Sequence, residues 1–247
     1  MLSIYAYFGF NLSAEERFSL IKKYFGGVAL WRGADFRLDS GVAEHEQDSE
    51  IREKKIKVSY AHAPINMTAY LNNGHYYRKD TLKTYKLWIR GCKERGIPIL
   101  VIHAENLTEY GIENLQELAN FADEEGVKLA VENTPDSSFD ELFEKVKNIY
   151  FCYDSCHAAM VGDLKGNMIT KYANRLIATN LSDSDGKNDL HLLPGDGEID
   201  WESVAKKLRE VKYSGDYTLE AFAGLNDLDA EKFLQEGADR MKNIFAL

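Results

Sequence analysis

Short apolar, strand-like runs alternate with helical patterns from one end of this chain to the other. Eight runs predict β-strands, at residues 2–8, 27–31, 56–61, 99–103, 127–132, 149–153, 176–180 and 217–221. Most of them are continuously apolar and do not alternate between polar and apolar positions. This pattern is typical of parallel strands that helices cover on the outside.

The segments between the strands predict helices with recognisable starts. Ser13 and Glu16 have the spacing of a capping box, and Ser138 and Glu141 repeat it. Eight strands, each followed by a helix, in 247 residues indicate an α/β fold of one domain, a (β/α)8 TIM barrel over residues 1–247. A doubly wound open sheet is the alternative, but no glycine-rich GxGxxG turn follows the first strand to support it.

Composition and charge exclude several classes of protein. No apolar run approaches the roughly 20 residues of a membrane span, and the first residues lack the features of a signal peptide, so a cytoplasmic protein is expected. The three cysteines have no CxxC spacing, which argues against disulfides and thiolate zinc sites. A net charge of −10 argues against a dedicated nucleic-acid binder.

Polar side chains end many of the apolar strands or follow them closely. The active site of a (β/α)8 barrel lies at the carboxyl ends of its strands, so these side chains should meet at one mouth. The residues are His62, His103, Glu132, Asp154, His157, Asn180, Asp183, Asp189, His191 and Glu220. The other two histidines, His45 and His75, fall in a predicted surface helix and a polar loop and receive no role.

Any one of these residues alone could be structural, but the cluster points to a metal. Several carboxylates crowded together without Lys or Arg repel one another unless a cation neutralises them. Imidazole and carboxylate ligands without thiolates suit Zn, Mn, Co or Fe. The sequence therefore predicts a divalent metal site at the barrel mouth.

The ordered segments HAP, VIHA, VEN, DSCHA, NLSD, DLHLLPGDGEIDW and LEA resemble the xylose isomerase-like barrel superfamily. That superfamily joins sugar and sugar phosphate isomerases and epimerases to the endonuclease IV family, also called AP endonuclease family 2. The resemblance implies a central ion held by Glu132, Asp154 and Glu220, with Asn180 at the position of a fourth ligand. In both branches that ligand is usually His. An amide oxygen binds transition metals more weakly, which shifts the expected ion towards Mn or Mg.

The endonuclease-like branch uses two further ions beside the central one. The matching residues are His62, His103 and Glu132 for one ion, and His157, Asp189 and His191 for the other. Some isomerase relatives keep part of this pattern. The resemblance therefore implies one central ion, with ligands for as many as three.

The resemblance leaves two reactions open. The first is isomerisation or epimerisation of a small sugar or sugar phosphate through a metal-stabilised enediolate. Glu132 and Glu220 would transfer the proton, while His157 and His191 would orient hydroxyl groups. The second is metal-dependent phosphoester hydrolysis at abasic sites in DNA, against which the acidic charge and Asn180 both count.

Three further residues are predicted to contact the substrate. Trp31 and Arg32 would line the pocket, with Arg32 pairing with a phosphate, although a loop salt bridge is an equal alternative for Arg32. Asp183 is the third. A sugar-binding barrel without catalysis is another interpretation, which the retention of both candidate glutamates disfavours. The resemblance also allows a homodimer.

Overall fold

Parallel strands close into a barrel in the computed structural model, which describes residues 1–32, 42–74, 76–137, 139–225 and 228–247. The strands follow one another around the barrel in chain order. They are β1 Leu2–Tyr5, β2 Gly27–Trp31, β3 Lys57–His62, β4 Ile99–His103, β5 Lys128–Glu132, β6 Ile149–Asp154, β7 Leu176–Leu181 and β8 Tyr217–Leu219. The predicted α/β fold, a (β/α)8 TIM barrel, is confirmed.

Helices cover the outside of the barrel. They are α1 Ala14–Tyr24, α2 Glu44–Lys54, α3 Arg78–Glu94, α4 Glu109–Glu125, α5 Phe139–Lys145, α6 Ser155–Met160, α7 Asn167–Lys171, α8 Trp201–Glu210 and α9 Ala230–Phe245, with short 3-10 helices at Ile65–Asn72 and Ala223–Leu225. Ser13 caps α1 in the predicted capping box with Glu16. Ser138 and His75 lie outside the described residues.

The register between neighbouring strands places the predicted site residues side by side. His103 of β4 pairs with Glu132 of β5. Asp154 of β6 likewise pairs with Asn180 of β7. Because these residues end their strands, the mouth collects their side chains.

Two apolar layers stabilise the barrel. The larger layer lies between the strands and the helices. The smaller one fills the inside of the barrel and consists of Tyr5, Ala29, Tyr60, Val101, Ala130, Cys152 and Ala178. The inner layer forms the floor beneath the mouth.

The first strand is shorter than predicted. The apolar run was expected to stay in the sheet to residue 8, yet β1 ends at Tyr5. Phe8 is buried because its ring stacks on Phe233 of α9, at a centroid distance of 6.2 Å. Its apolar character therefore serves a helix contact and not a strand. No helix among the described residues is long and apolar enough to cross a membrane.

Candidate metal centre

Glu132 lies at the centre of the mouth and is only 2% exposed. Its Oε2 lies 3.2 Å from His62 Nε2 and accepts a hydrogen bond from Asn180 Nδ2 at 2.6 Å. Its Oε1 lies 3.1 Å from His157 Nδ1 and 3.5 Å from His103 Nε2. Burial alone would raise the pKa of Glu132, but the surrounding imidazoles outweigh burial and hold that pKa well below its usual range. Glu132 is therefore a carboxylate at neutral pH.

The imidazoles around Glu132 are held in defined orientations. In three of them Nδ1 donates to a main-chain carbonyl, which fixes the orientation of the ring. In His62 and His191 this leaves Nε2 to face the site, whereas His157 has its Nδ1 beside Glu132 as well. The pairs are His62 with Ala63 at 2.6 Å, His157 with Asn133 at 2.9 Å, and His191 with Glu220 at 3.0 Å. This is the arrangement that orients histidines as metal ligands.

Nearby carboxylates favour the charged form of several of these imidazoles. Burial would lower the pKa of His103, but the charge of Glu132 outweighs burial and raises it to about 9. For His157 and His191, burial is outweighed in the same way by Asp154 and Asp189, and both pKa values are raised. Without a metal, protons on the imidazoles supply the positive charge that the carboxylates need.

Asp154 and Glu220 are buried beside Glu132 in a different environment. Oδ1 of Asp154 caps α6 by accepting the main-chain N–H of His157 at 2.6 Å. Oδ2 of Asp154 and Oε2 of Glu220 are buried without a hydrogen-bond partner among the described residues. Burial raises the pKa of both carboxyls, and the charge of Glu132 raises both further. Buried carboxyl oxygens without donors fit a divalent cation, which would satisfy both.

The ligand atoms of the mouth form four close groups among the described residues, each with its atoms within 4.8 Å of one another. The groups are His62–His103–Glu132, Glu132–Asp154–His157, Asp154–His191–Glu220 and Cys156–Asp189–His191. Nine of the ten side chains predicted to lie at the mouth are metal candidates, and eight of those nine occur in these groups. Asn180 is the ninth.

Asn180 faces the mouth with its nitrogen. An ionised carboxylate only accepts hydrogen bonds, so the contact with Glu132 fixes which end of the amide faces it. Asn180 Oδ1 turns into the barrel, where it accepts from the hydroxyl of Tyr60 and lies 3.6 Å from Cys152 Sγ. In this orientation Asn180 offers the mouth a donor and not the oxygen that a metal ligand needs.

Trp31, the last residue of β2, and Arg32, which follows it, lie in different places. The centroid of the Trp31 ring lies 4.4 Å from that of the His62 ring, which places Trp31 at the mouth. Arg32 points away from the mouth, where it pairs with Asp48 and Glu44 of α2. It lines a cavity of about 200 Å³ beside α3. The geometry thus supports the salt-bridge interpretation of Arg32.

Asp183 holds the loop that follows β7. Both carboxylate oxygens accept from inside the protein, and the donors are Ser184 N at 2.9 Å, Ile199 N at 3.1 Å, Gly195 N at 2.6 Å and Trp201 Nε1 at 2.8 Å. With four donors in place, its oxygens are occupied. The predicted contact of Asp183 with substrate gains no support from this arrangement.

Two residues at the mouth were not predicted. Asn133 joins β5 to β6, because its side chain donates to Asp154 O at 2.8 Å and accepts from Asp154 N at 2.7 Å. The sequence signal that could have identified Asn133 was its position in the VEN segment, next to Glu132. Cys156, in DSCHA, lies 3.4 Å from Asp189 Oδ1, and its spacing in the sequence gave no signal for that contact.

A family model and two proteins of known sequence are similar to large parts of this chain. Residues 18–244 match the family model described as xylose isomerase-like TIM barrel. The uncharacterized protein y4fM of Sinorhizobium fredii is 27% identical over 58% of this chain and 53% of its own length. The uncharacterized protein MJ1311 of Methanocaldococcus jannaschii is 24% identical over 69% of this chain and 67% of its own length. The chain thus matches about half of the first protein and two thirds of the second.

Solved structures resemble the fold over its full extent. A D-tagatose 3-epimerase-like protein has a TM-score of 0.79 at 19% identity, covering 100% of this chain and 97% of that one. D-allulose 3-epimerase from Methylomonas sp. in complex with D-allulose has a TM-score of 0.78 at 11% identity, covering 98% and 96%. The 3-keto-D-glucoside 4-epimerase YcjR from E. coli has a TM-score of 0.71 at 17% identity, covering 100% of both chains. At these identities the likeness concerns the fold.

Proposed function

Since the chain belongs to the xylose isomerase-like TIM barrel family, we propose that it is a divalent-metal-dependent epimerase or isomerase of a small sugar. The observation that carries the proposal is a pair of buried glutamates, Glu132 and Glu220, each of which shares a group of close ligand atoms with Asp154. In the metal-free site the imidazoles keep Glu132 ionised, whereas burial and neighbouring carboxylates raise the pKa of Glu220. Two carboxyls in different environments at one mouth are what a proton-transfer reaction uses as base and acid.

The metal would be held by Asp154 and Glu220, whose buried oxygens lack partners, with Glu132 beside them. When bound, the ion supplies a Lewis acid that polarises a carbonyl and the neighbouring hydroxyl of the sugar. The carboxylates favour Mn or Mg at this position. The orientation of Asn180 leaves it out of this set.

Glu132 takes the proton from the carbon next to the carbonyl, and the electron pair of that C–H bond enters the enediolate. Glu220 then gives a proton to carbon, which restores the C–H bond, so the reaction needs no oxidant or hydride. His157 and His191 lie beside these glutamates and would orient hydroxyl groups of the sugar, and Trp31 would close one wall of the pocket. Because Glu132 and Glu220 are buried in the mouth, the protein limits the access of water to the enediolate.

The substrate we propose carries no phosphate. Arg32, the cation predicted to bind one, is committed to Asp48 and Glu44. The solved relatives include an epimerase in complex with D-allulose, an unphosphorylated sugar. Free ketohexoses are therefore the first substrates to test.

Exchange of substrate hydrogen with solvent deuterium tests the proposal directly. The protein, loaded with Mn or Mg, is incubated with D-allulose, D-tagatose or D-fructose in deuterated water, and mass spectrometry follows the sugar. We expect incorporation at one carbon, and a loss of about 10²–10⁴-fold in Glu132→Gln, because that variant removes the base. Glu125→Gln on α4, where Glu125 pairs with Lys93, is the matched control and should exchange normally.

Failure would take one of two forms. Sugar binding without exchange under any metal would contradict catalysis and favour the binding-protein interpretation. Equal exchange in Glu132→Gln would remove Glu132 as the base.

One observation favours phosphoester hydrolysis as a second candidate. The groups His62–His103–Glu132 and Cys156–Asp189–His191 flank the central carboxylates and offer ligands for more than one ion. Adjacent ions clamp the attacking and leaving oxygens in phosphoester cleavage. Cleavage of an abasic-site duplex, together with two or three zinc ions per chain by elemental mass spectrometry, would shift the assignment to this reaction.

A further inference from the structure

Two neighbouring helices on the outside of the barrel carry opposite charge. α3 has six cations and two carboxylates, whereas α4 has six carboxylates and no Lys or Arg. The chain as a whole has a net charge of −10, so the positive face of α3 differs in sign from the rest of the molecule. We propose that α3 and α4 form the contact surface for a second copy of this chain, in a two-fold symmetric homodimer.

Ion pairs within the chain use only part of this charge. Cations of α3 pair with two carboxylates of α4, and the pairs are Arg78 and Lys86 with Glu117, and Arg90 and Lys93 with Glu125. Lys79 and Lys83 of α3, here called the lysine pair, are exposed and make no ion pair with the described residues. The same is true of Asp123 and Glu124 of α4, here called the acidic pair. Each helix therefore presents charge of one sign to solvent.

The ion pairs also show that the two helices run in the same direction. Arg78, at the start of α3, pairs with Glu117, and Lys93, near the end of α3, pairs with Glu125 further along α4. The lysine pair therefore lies towards one end of the two-helix face, and the acidic pair lies towards the other end on the neighbouring helix. A two-fold axis through the centre of the face turns the partner end for end and places the partner's α4 on α3. The lysine pair of each copy then meets the acidic pair of the other.

A groove between the helices provides room for apolar contact. Its volume is about 580 Å³, and Leu82 and Leu87 line it together with five cations of α3 and Glu117. Leu87 is the tenth of the 17 residues of α3 and is 56% exposed. A two-fold interface needs apolar surface at its centre, and the groove of the partner can cover this side chain. Because exposed ion pairs stabilise little on their own, we expect charge to set the orientation and the covered leucines to set the affinity.

A second copy fits this face better than a polyanion does. Phosphates or an acidic peptide would be attracted by the lysine pair, but they would also meet the carboxylates of α4 directly beside it. A second copy brings both signs of charge and satisfies both helices at once. The sequence alone allowed a homodimer without indicating any surface for it, and the division of charge between α3 and α4 supplies that surface.

Charge reversal tests the surface and its symmetry together. Two variants reverse one pair each, and they are Lys79→Glu with Lys83→Glu, and Asp123→Lys with Glu124→Lys. Sedimentation velocity of the full chain at rising concentration should show a dimer for the wild type and a dissociation constant raised at least about tenfold for each variant, because like charges then face each other. An equimolar mixture of the two variants should form a heterodimer, since reversed lysines then face reversed carboxylates and the native pairs at the other end of the face are kept.

The matched control carries Lys206→Glu on α8 with Lys232→Glu on α9, which reverses the same amount of charge on other exposed surfaces and should leave the dimer unchanged. A wild type that stays monomeric up to about 1 mM would overturn the proposal. So would a dimer that both reversals leave intact, or two variants that fail to pair when they are mixed. A monomer that inorganic tripolyphosphate stabilises against heat would assign the groove to a small polyanion instead. Because no sugar or metal enters these measurements, their outcome is independent of the exchange experiment.

Discussion

Asn180 shows how a single residue changes the character of the mouth. Its amide donates to Glu132 and accepts from Tyr60, so the barrel floor and the candidate base form one hydrogen-bonded unit. A carboxylate at this position could only accept hydrogen bonds, and it would place a second negative charge beside Glu132. Asn180 therefore stabilises the ionised Glu132 in the absence of metal.

Asn180→Asp tests this function of the amide. The variant replaces a donor with a carboxylate beside Glu132, and we expect the free energy of unfolding without metal to fall by about 1–3 kcal/mol. Excess Mn²⁺ should restore most of the loss, because the new oxygen adds a ligand. Urea unfolding with and without chelator measures both effects.

Asn114→Asp is the matched control for that comparison. Asn114 is also a buried donor, to Leu71 O at 2.7 Å, but it lies on α4 away from the mouth. It should lose stability in the same way without recovering it in Mn²⁺. An Asn180→Asp protein as stable as the wild type in chelator would show that the amide does not support Glu132.

The residues at the mouth could be predicted from sequence, but their partners could not. Strand ends identify which side chains converge, since all parallel strands end at one face. The Asn180 contact with Tyr60 spans 120 residues and crosses the barrel interior, so no local pattern contains it. The partners of Arg32 on α2 and of Asp183 in the loop after β7 likewise lie outside what strand-end reasoning can predict.

At the scale of elements, the strands follow the prediction because burial on both faces leaves a continuous apolar run. The bounds of β2 and β4 agree fully with the predicted ranges. β8 ends at Leu219, two residues before the predicted end, since Ala221 is buried after the chain has left the sheet. Apolar character alone cannot separate a strand from the buried residues that follow it.

The loop after β7 depends on one carboxylate. Asp183→Asn replaces an acceptor oxygen with an NH₂ group that faces two donors, and we expect a loss of about 3 kcal/mol in the free energy of unfolding. Limited proteolysis should then cut between residues 185 and 198. Asp196→Asn, which removes an ion pair with Arg240, should cost under about 1 kcal/mol. Unchanged protease resistance in Asp183→Asn would mean that other contacts hold the loop.

The opposite end of the barrel has a pH-sensitive contact. Asp216 pairs with Lys57 at 2.7 Å and accepts from Ser59 at 2.9 Å. Burial would raise the pKa of Asp216, but these two partners outweigh burial and lower it. A lowered carboxyl pKa contributes stability above the ordinary value near 4, and that contribution is lost as pH falls through the folded value.

Asp216→Asn should therefore be destabilised by about 1–2 kcal/mol at pH 7, with a difference from wild type that shrinks below about pH 4. Urea midpoints across pH measure it. Asp140→Asn, on exposed α5, removes a paired but solvated carboxylate and should show a smaller difference. A constant difference at every pH would rule out the charge of Asp216 as its source.

At the scale of the whole molecule, metal binding should appear as stability. An ion present at about 100 times its dissociation constant adds about 2.7 kcal/mol to the free energy of unfolding. For a chain of this length that corresponds to a rise of about 5–10 °C in the thermal midpoint. Calorimetry with Mn²⁺, Mg²⁺, Co²⁺ and Zn²⁺, each followed by chelator, measures the rise and its reversal. No shift with any of the four would contradict the metal centre.

The barrel closes where β1 meets β8, with Leu2 beside Tyr217 and Ile4 beside Leu219. Glu132 and Glu220 are far apart in the sequence, and Glu220 directly follows the strand that completes the wall. A partly folded form in which β8 has not paired with β1 therefore lacks both the closed wall and the position of Glu220. An ion that needs both glutamates would bind the closed barrel in preference to such forms, so metal binding and closure of the barrel should stabilise each other.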